Sequence, residues 1–83
     1  MNIKVLYFAA LREALGSGET VSIEADATLA DLRDRLIASS PRHAEALSRA
    51  KLVRGALDQQ MCDESTRIGA GSEVAFFPPV TGG

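Results

Sequence analysis

The sequence predicts an α+β domain in which one mixed sheet carries a single main helix across one face. Three observations lead to that expectation. Strand-like segments stand near both ends of the chain, at residues 2–8 and 73–77. A clean apolar–polar alternation follows the first of them at residues 19–24. Between the two ends, Leu29, Leu32, Leu36 and Ile37 recur at i, i+3, i+7 and i+8, the apolar stripe of a helix.

The first strand is rich in β-branched and aromatic residues. Alternation puts Ile3, Val5 and Tyr7 on one face and Lys4, Leu6 and Phe8 on the other. Apolar residues on both faces imply that something covers even the helix-free side. Ala9 to Leu15 favours a short helix, with Leu11 and Leu15 on one face and Gly16 as its stop. Gly16-Ser17-Gly18 is a turn. In residues 19–24, Val21 and Ile23 point inward, which makes a hairpin partner for the first strand.

Thr28 is placed to cap the main helix, with Asp31 at N3 in a capping-box arrangement. Asp31, Arg33, Asp34 and Arg35 are expected on a solvated face, with an Asp31–Arg35 pair. Pro41 suits a first helical position, so a shorter helix is expected over Arg42–Ala50, with Ala44, Leu47 and Ala50 as its apolar side. His43, with no second ligand near it in sequence, reads as a surface residue. Lys51–Leu57 is a third strand, Asp58-Gln59-Gln60 a turn and Met61-Cys62 a brief strand. Ile68 is an isolated anchor, Gly69–Ser72 a turn, and Glu73–Phe77 the last strand. Hairpin plus crossover give a β-grasp arrangement. The last strand pairs inside the sheet beside the first, and the crossover is expected to be right-handed.

Composition narrows the function. Eighty-three residues make one domain that buries roughly 60% of its unfolded surface. With 46% hydrophobic and 24% charged residues, the chain reads as a soluble globular protein. The net charge of −2 gives no reason to expect nucleic-acid or anionic-membrane binding. No apolar run approaches the roughly 20 residues of a membrane span, and no signal pattern surrounds Lys4. A single cysteine, Cys62, fits a reducing compartment, so a cytoplasmic location is expected. Asp63 beside it would raise the thiol pKa, which makes Cys62 incidental. One His, one Tyr, no Trp and no metal or nucleotide motif point to a partner-dependent protein, not a free-standing enzyme.

The chemistry is therefore sought in Ala75-Phe76-Phe77-Pro78-Pro79-Val80-Thr81-Gly82-Gly83. Residues 1–77 form the domain and residues 78–83 an extended, flexible tail. Pro78 and Pro79 end strand pairing, because neither has a backbone N–H, and favour a stiff extended path. Gly82 and Gly83 make a tip with no Cβ, able to enter a narrow cleft as bare backbone. The six residues after Phe77 reach at most ~20 Å, enough to deliver a carboxylate into a neighbouring active site.

These residues resemble the sulfur-carrier subunits of molybdopterin synthase, in the ubiquitin-like superfamily. The run from Ala75 to Gly83 carries the resemblance most strongly. Ile3–Ala9 with Arg12-Glu13, and Gly71–Ala75, extend it along the whole chain. Two turns depart from the family pattern: Leu57-Asp58-Gln59 stands where Val-Asn-Gln is usual, and Ala70-Gly71-Ser72 where Asp-Gly-Asp is usual. The resemblance implies that an E1-like adenylating enzyme uses ATP to activate the Gly83 carboxylate. A sulfur donor protein then supplies the sulfur of a thiocarboxylate. The carrier next binds the large synthase subunit, in a heterotetramer with two large subunits at its centre. There it inserts Pro78, Pro79, Val80, Thr81 and Gly82 and donates sulfur to cyclic pyranopterin monophosphate. It also implies docking through Phe8, Arg12, Met61 and Phe77, no cofactor or metal held by this chain, and no catalysis by the chain alone. Three other readings stay open: a thiamin- or cysteine-pathway sulfur carrier, a ubiquitin-like protein modifier, and an interaction module with an inert tail.

Overall fold

The computed structural model describes residues 1–79. The elements are β1 (Asn2–Tyr7), α1 (Ala9–Leu15), β2 (Gly18–Ser22), α2 (Leu29–Ser39), α3 (Pro41–Ala46), β3 (Arg54–Leu57), β4 (Gln60–Cys62) and β5 (Glu73–Phe77). The five strands form one sheet in the order β2-β1-β5-β3-β4. β1 and β5 are parallel, and every other neighbouring pair is antiparallel. The last strand thus lies at the centre beside the first, and the chain leaves from the end of that central strand.

The alternation read from β1 is the one that folds. Ile3, Val5 and Tyr7 are buried, and Val74 and Phe76 of β5 join them. Leu29, Leu32 and Leu36 bring α2 down onto this face, with Leu11 of α1 and Ala46 and Leu47 closing one end. Gly55 explains the close approach of α2 to β3: a Cβ there would come within 2.6 Å of Leu29 Cδ2. Ile68 is 1% exposed and is held by a bond from its N–H to Ala27 O, so it is the anchor its isolation suggested. The capping box forms in full. Thr28 Oγ1 accepts from Asp31 N, and Asp31 Oδ2 accepts from Thr28 N.

Four local expectations are corrected. Arg33 is not on a solvated face. It is 4% exposed and its guanidinium donates to Leu47 O, Ser48 O, Lys51 O and Glu64 Oε2. Asp31 is engaged in the cap, so the Asp31–Arg35 pair does not form. The short helix ends at Ala46, five residues after Pro41; Ala46 and Leu47 are buried and Ala50 is exposed. The third strand starts at Arg54 instead of Lys51, because Lys51 O is taken by Arg33 and Lys51 N by Ser48 O.

The departure at Asp58-Gln59 has a structural account. Both residues have positive φ, 48° and 71°, as a two-residue hairpin turn of the mirror-image type requires. Asp58 Oδ1 accepts from Glu73 N at 2.9 Å, and Asp58 N donates to Glu73 O at 2.8 Å. The carboxylate therefore ties the β3–β4 turn to the start of β5. Asn offers an acceptor of the same shape, so the Asp preserves the contact.

Candidate functional site

The site is built where β1 and β5 end side by side. Parallel pairing sets Tyr7 opposite Phe76, so Phe8 and Phe77 come next on neighbouring strands, about 4.8 Å apart in the pairing direction. Phe8 N donates to Phe76 O at 3.1 Å, which carries the ladder one step past β1. Ala9 then adopts φ 54°, a left-handed turn unusual for a residue with a Cβ, and α1 begins. Phe8 is left 45% exposed on the helix-free face.

That face has a continuous apolar row. Strand registers place Gly18, Leu6, Ala75, Ala56 and Met61 side by side across all five strands. Ala56 is 7% exposed yet stands outside the core cluster. Met61 is 54% exposed. Lys4 and Glu73 border the row with an ion pair at 3.8 Å, and Phe77 beside Arg54 borders it toward the tail. Phe8, Met61 and Phe77 are thus brought together on one face. Arg12 lies on α1, joined to Phe8 through its backbone N–H to Phe8 O at 3.4 Å. Its side chain is exposed and has no ion pair among the described residues.

Pro78 and Pro79 follow Phe77 directly and are half-buried. Alternation along β5 turns Phe77 to the open face and Pro78 to the helix side, where it lines a groove with α1 and α3. Val80, Thr81, Gly82 and Gly83 lie outside the described residues. Four residues beyond Pro79 span at most ~14 Å.

Away from that face, Tyr7, Glu19 and His43 are tied into the scaffold. Tyr7 Oη donates to Glu19 Oε2 at 2.7 Å, and His43 Nε2 lies 2.6 Å from the same oxygen. His43 Nδ1 lies 2.6 Å from Ser40 Oγ, which caps α3 by accepting from His43 N. Burial, reinforced by Glu19, pushes the Tyr7 phenol up, out of any useful range. Burial alone would raise the Glu19 carboxyl, but the bonds from His43 and Tyr7 outweigh it and hold the group low. His43 is therefore not the surface residue expected. It packs edge-on against Tyr7 at 6.4 Å and joins β1, β2 and α3. Cys62 packs against the core. No cluster of metal-ligating side chains occurs among the described residues.

Residues 5–83 match the profile of the ThiS family. The chain belongs to the ThiS family. A relative from Escherichia coli, the "Molybdopterin synthase sulfur carrier subunit", is 43% identical over 81 residues, covering 98% of this chain and 99% of its own. SAMP1 from Haloferax volcanii has a crystal structure with TM-score 0.78 and 28% identity, each chain covered in full. The same fold recurs, at TM-score 0.69 and 23% identity over both whole chains, in the Helicobacter pylori complex of subunits 1 and 2 of molybdopterin-converting factor. No helix of the described residues is long and apolar enough to cross a membrane.

Proposed function

We propose that this ThiS-family chain carries sulfur for molybdenum cofactor biosynthesis. An E1-like enzyme adenylates the Gly83 carboxylate with ATP, making AMP a leaving group. A sulfur donor protein supplies sulfur that displaces it, leaving a thiocarboxylate. That sulfur is ionised at neutral pH and is a soft nucleophile. Docked on the large synthase subunit through Phe8, Arg12, Met61 and Phe77, the carrier extends Pro78 to Gly82 into the partner. There the sulfur passes to cyclic pyranopterin monophosphate and Gly83 returns to a carboxylate. The ATP site and the acid–base groups belong to the partners, and this chain holds no cofactor. A cytoplasmic location goes with this reading.

The observation that carries the proposal is the continuity of the apolar row with the start of the tail: Phe77 belongs to the exposed face, and Pro78 is the next residue. The H. pylori complex supports a subunit-2-like partner. Complementation of a strain lacking its molybdopterin synthase carrier tests the proposal. The full chain is expected to restore molybdoenzyme activity, and a chain lacking Gly82 and Gly83 is not. Activity from the truncated chain would refute a role for the tip.

The likeness to the H. volcanii "small archaeal modifier protein 1" favours one second reading, attachment of Gly83 to lysines of other proteins. Lysine adducts of the tail across many cellular proteins would support it. Rescue of a thiamin auxotroph instead of the molybdenum-cofactor mutant would move the chain to the thiamin pathway.

A further inference from the structure

Among the described residues, three large hydrophobic side chains are exposed: Phe8, Met61 and Leu52. The first two belong to the open sheet face. Leu52 is the most exposed, at 80%, and lies elsewhere. It stands at the rim of an apolar groove of about 170 Å³ on the helix side, floored by Leu11, Ala14, Ala46, Val53 and Pro78. The groove therefore abuts the first residue of the tail, opposite the face that carries Phe77.

The loop that leads into Leu52 is pinned by hydrogen bonds up to Lys51. Arg33 donates to Leu47 O at 2.8 Å, Ser48 O at 2.7 Å and Lys51 O at 3.0 Å, and Lys51 N donates to Ser48 O at 2.9 Å. Most of a buried guanidinium is thus spent on fixing residues 47–51, immediately before an exposed leucine. A leucine presented by an already ordered loop loses little chain entropy when a partner covers it. Exposed apolar anchors beside a pocket are the usual centres of an interface.

We propose that Leu52 and the groove behind it are a second docking point for the large synthase subunit, which grips the tail root from the helix side as well as from the sheet face. The inference rests on the tail-delivery reading above. It fits a partner that presents one aliphatic or aromatic side chain on the wall of its tail cleft, to fill the groove beside Pro78. Continuity with Pro78 points to a partner that receives the tail, and of the two proposed above the large subunit is the one assigned to the sheet face on the other side of that root, so it is the occupant that would close around the root from both sides.

The test is calorimetric titration of the large subunit with full-length wild type, Leu52→Asp, Leu52→Met and Phe8→Asp, with the thermal midpoint of each free chain. Leu52→Asp is expected to weaken binding about tenfold or more, with an unchanged midpoint, and Leu52→Met to stay within about threefold of wild type. Unchanged binding by Leu52→Asp, with weakened binding by Phe8→Asp, would overturn the second docking point and leave the sheet-face reading standing. Unchanged binding by both would overturn the docking reading itself. A Leu52→Asp effect confined to adenylation would assign the groove to the activating enzyme. Self-association of the wild type that Leu52→Asp abolishes would assign it to a second copy of this chain. Either result overturns the proposal.

Discussion

Replacing Arg33 by Ala is expected to be among the most damaging single changes in this chain. The side chain is 4% exposed and makes four bonds of 2.7–3.0 Å, three to backbone carbonyls and one to Glu64. Truncation strands Leu47 O and Lys51 O, leaves Ser48 O with Lys51 N alone and leaves Glu64 with Arg49 alone. Breaking a buried charged contact costs about 3–5 kcal/mol, because the remaining groups lose their compensation. Lys51 is exposed, so water can recover part of the loss there, and about 3–4 kcal/mol is the better figure. A domain of this size has roughly 4–12 kcal/mol in total. Urea unfolding of Arg33→Ala should therefore show a large fall in midpoint at constant slope. Arg35→Ala, one of the exposed helix positions, should stay within about 0.5 kcal/mol of wild type. Arg33→Lys should recover only part, since an ammonium cannot reproduce the guanidinium fork. A cost below about 1 kcal/mol for Arg33→Ala would refute the assignment of Arg33 as the pin of residues 47–51.

Other outcomes follow from the same contacts. Gln59→Gly should stabilise by about 1 kcal/mol, because Gln59 sits at φ 71° in a turn that favours Gly at this place; a loss of stability in urea would count against the turn geometry. Glu19 and Glu64 are held below the ordinary glutamate value of 4.5. Their contribution is then present above that value and lost as the pH falls through the lower folded values, so stability should decline on the acid side. Glu19→Gln should flatten that decline, and an unchanged acid limb would contradict the Tyr7–Glu19–His43 link. Met61→Asp should weaken binding to the large subunit by about 2 kcal/mol while leaving the free chain's thermal midpoint near wild type, since Met61 lies outside the core.

Most of the fold was legible because its signals are local. Period-two alternation gave both faces of β1, and the capping pair Thr28–Asp31 marked the start of α2 where it lies. The pairing of β5 beside β1 followed from the β-grasp reading. Arg33 escaped because charge was weighed above spacing. It lies four residues after Leu29 and three before Leu36, on the buried side of the helix, and the four residues Leu29, Leu32, Arg33 and Leu36 share one face. Nothing within that window reveals the carbonyls of residues 47–51 that receive it. His43 escaped for a similar reason, since its partner Glu19 stands 24 residues away on β2. The glycines and prolines of the tail marked it for the proposed chemistry, and the proposed docking residues Phe8, Arg12, Met61 and Phe77 came from the family resemblance; strand registers put Phe8, Met61 and Phe77 on the open face. The groove behind Leu52 was not, because it exists only once α1, α3 and Pro78 are packed together.

On the sulfur-carrier proposal, the transferred sulfur rides on the carboxyl carbon of Gly83. Intact-mass spectrometry tests it most directly, on the chain incubated with its adenylating enzyme, ATP and a sulfur donor. The expected result is a gain equal to the mass difference between one sulfur and one oxygen, mapped to the C-terminal peptide and absent when Gly83 is deleted or ATP withheld. A gain that survives deletion of Gly83, or one that maps to Cys62, would contradict the claim.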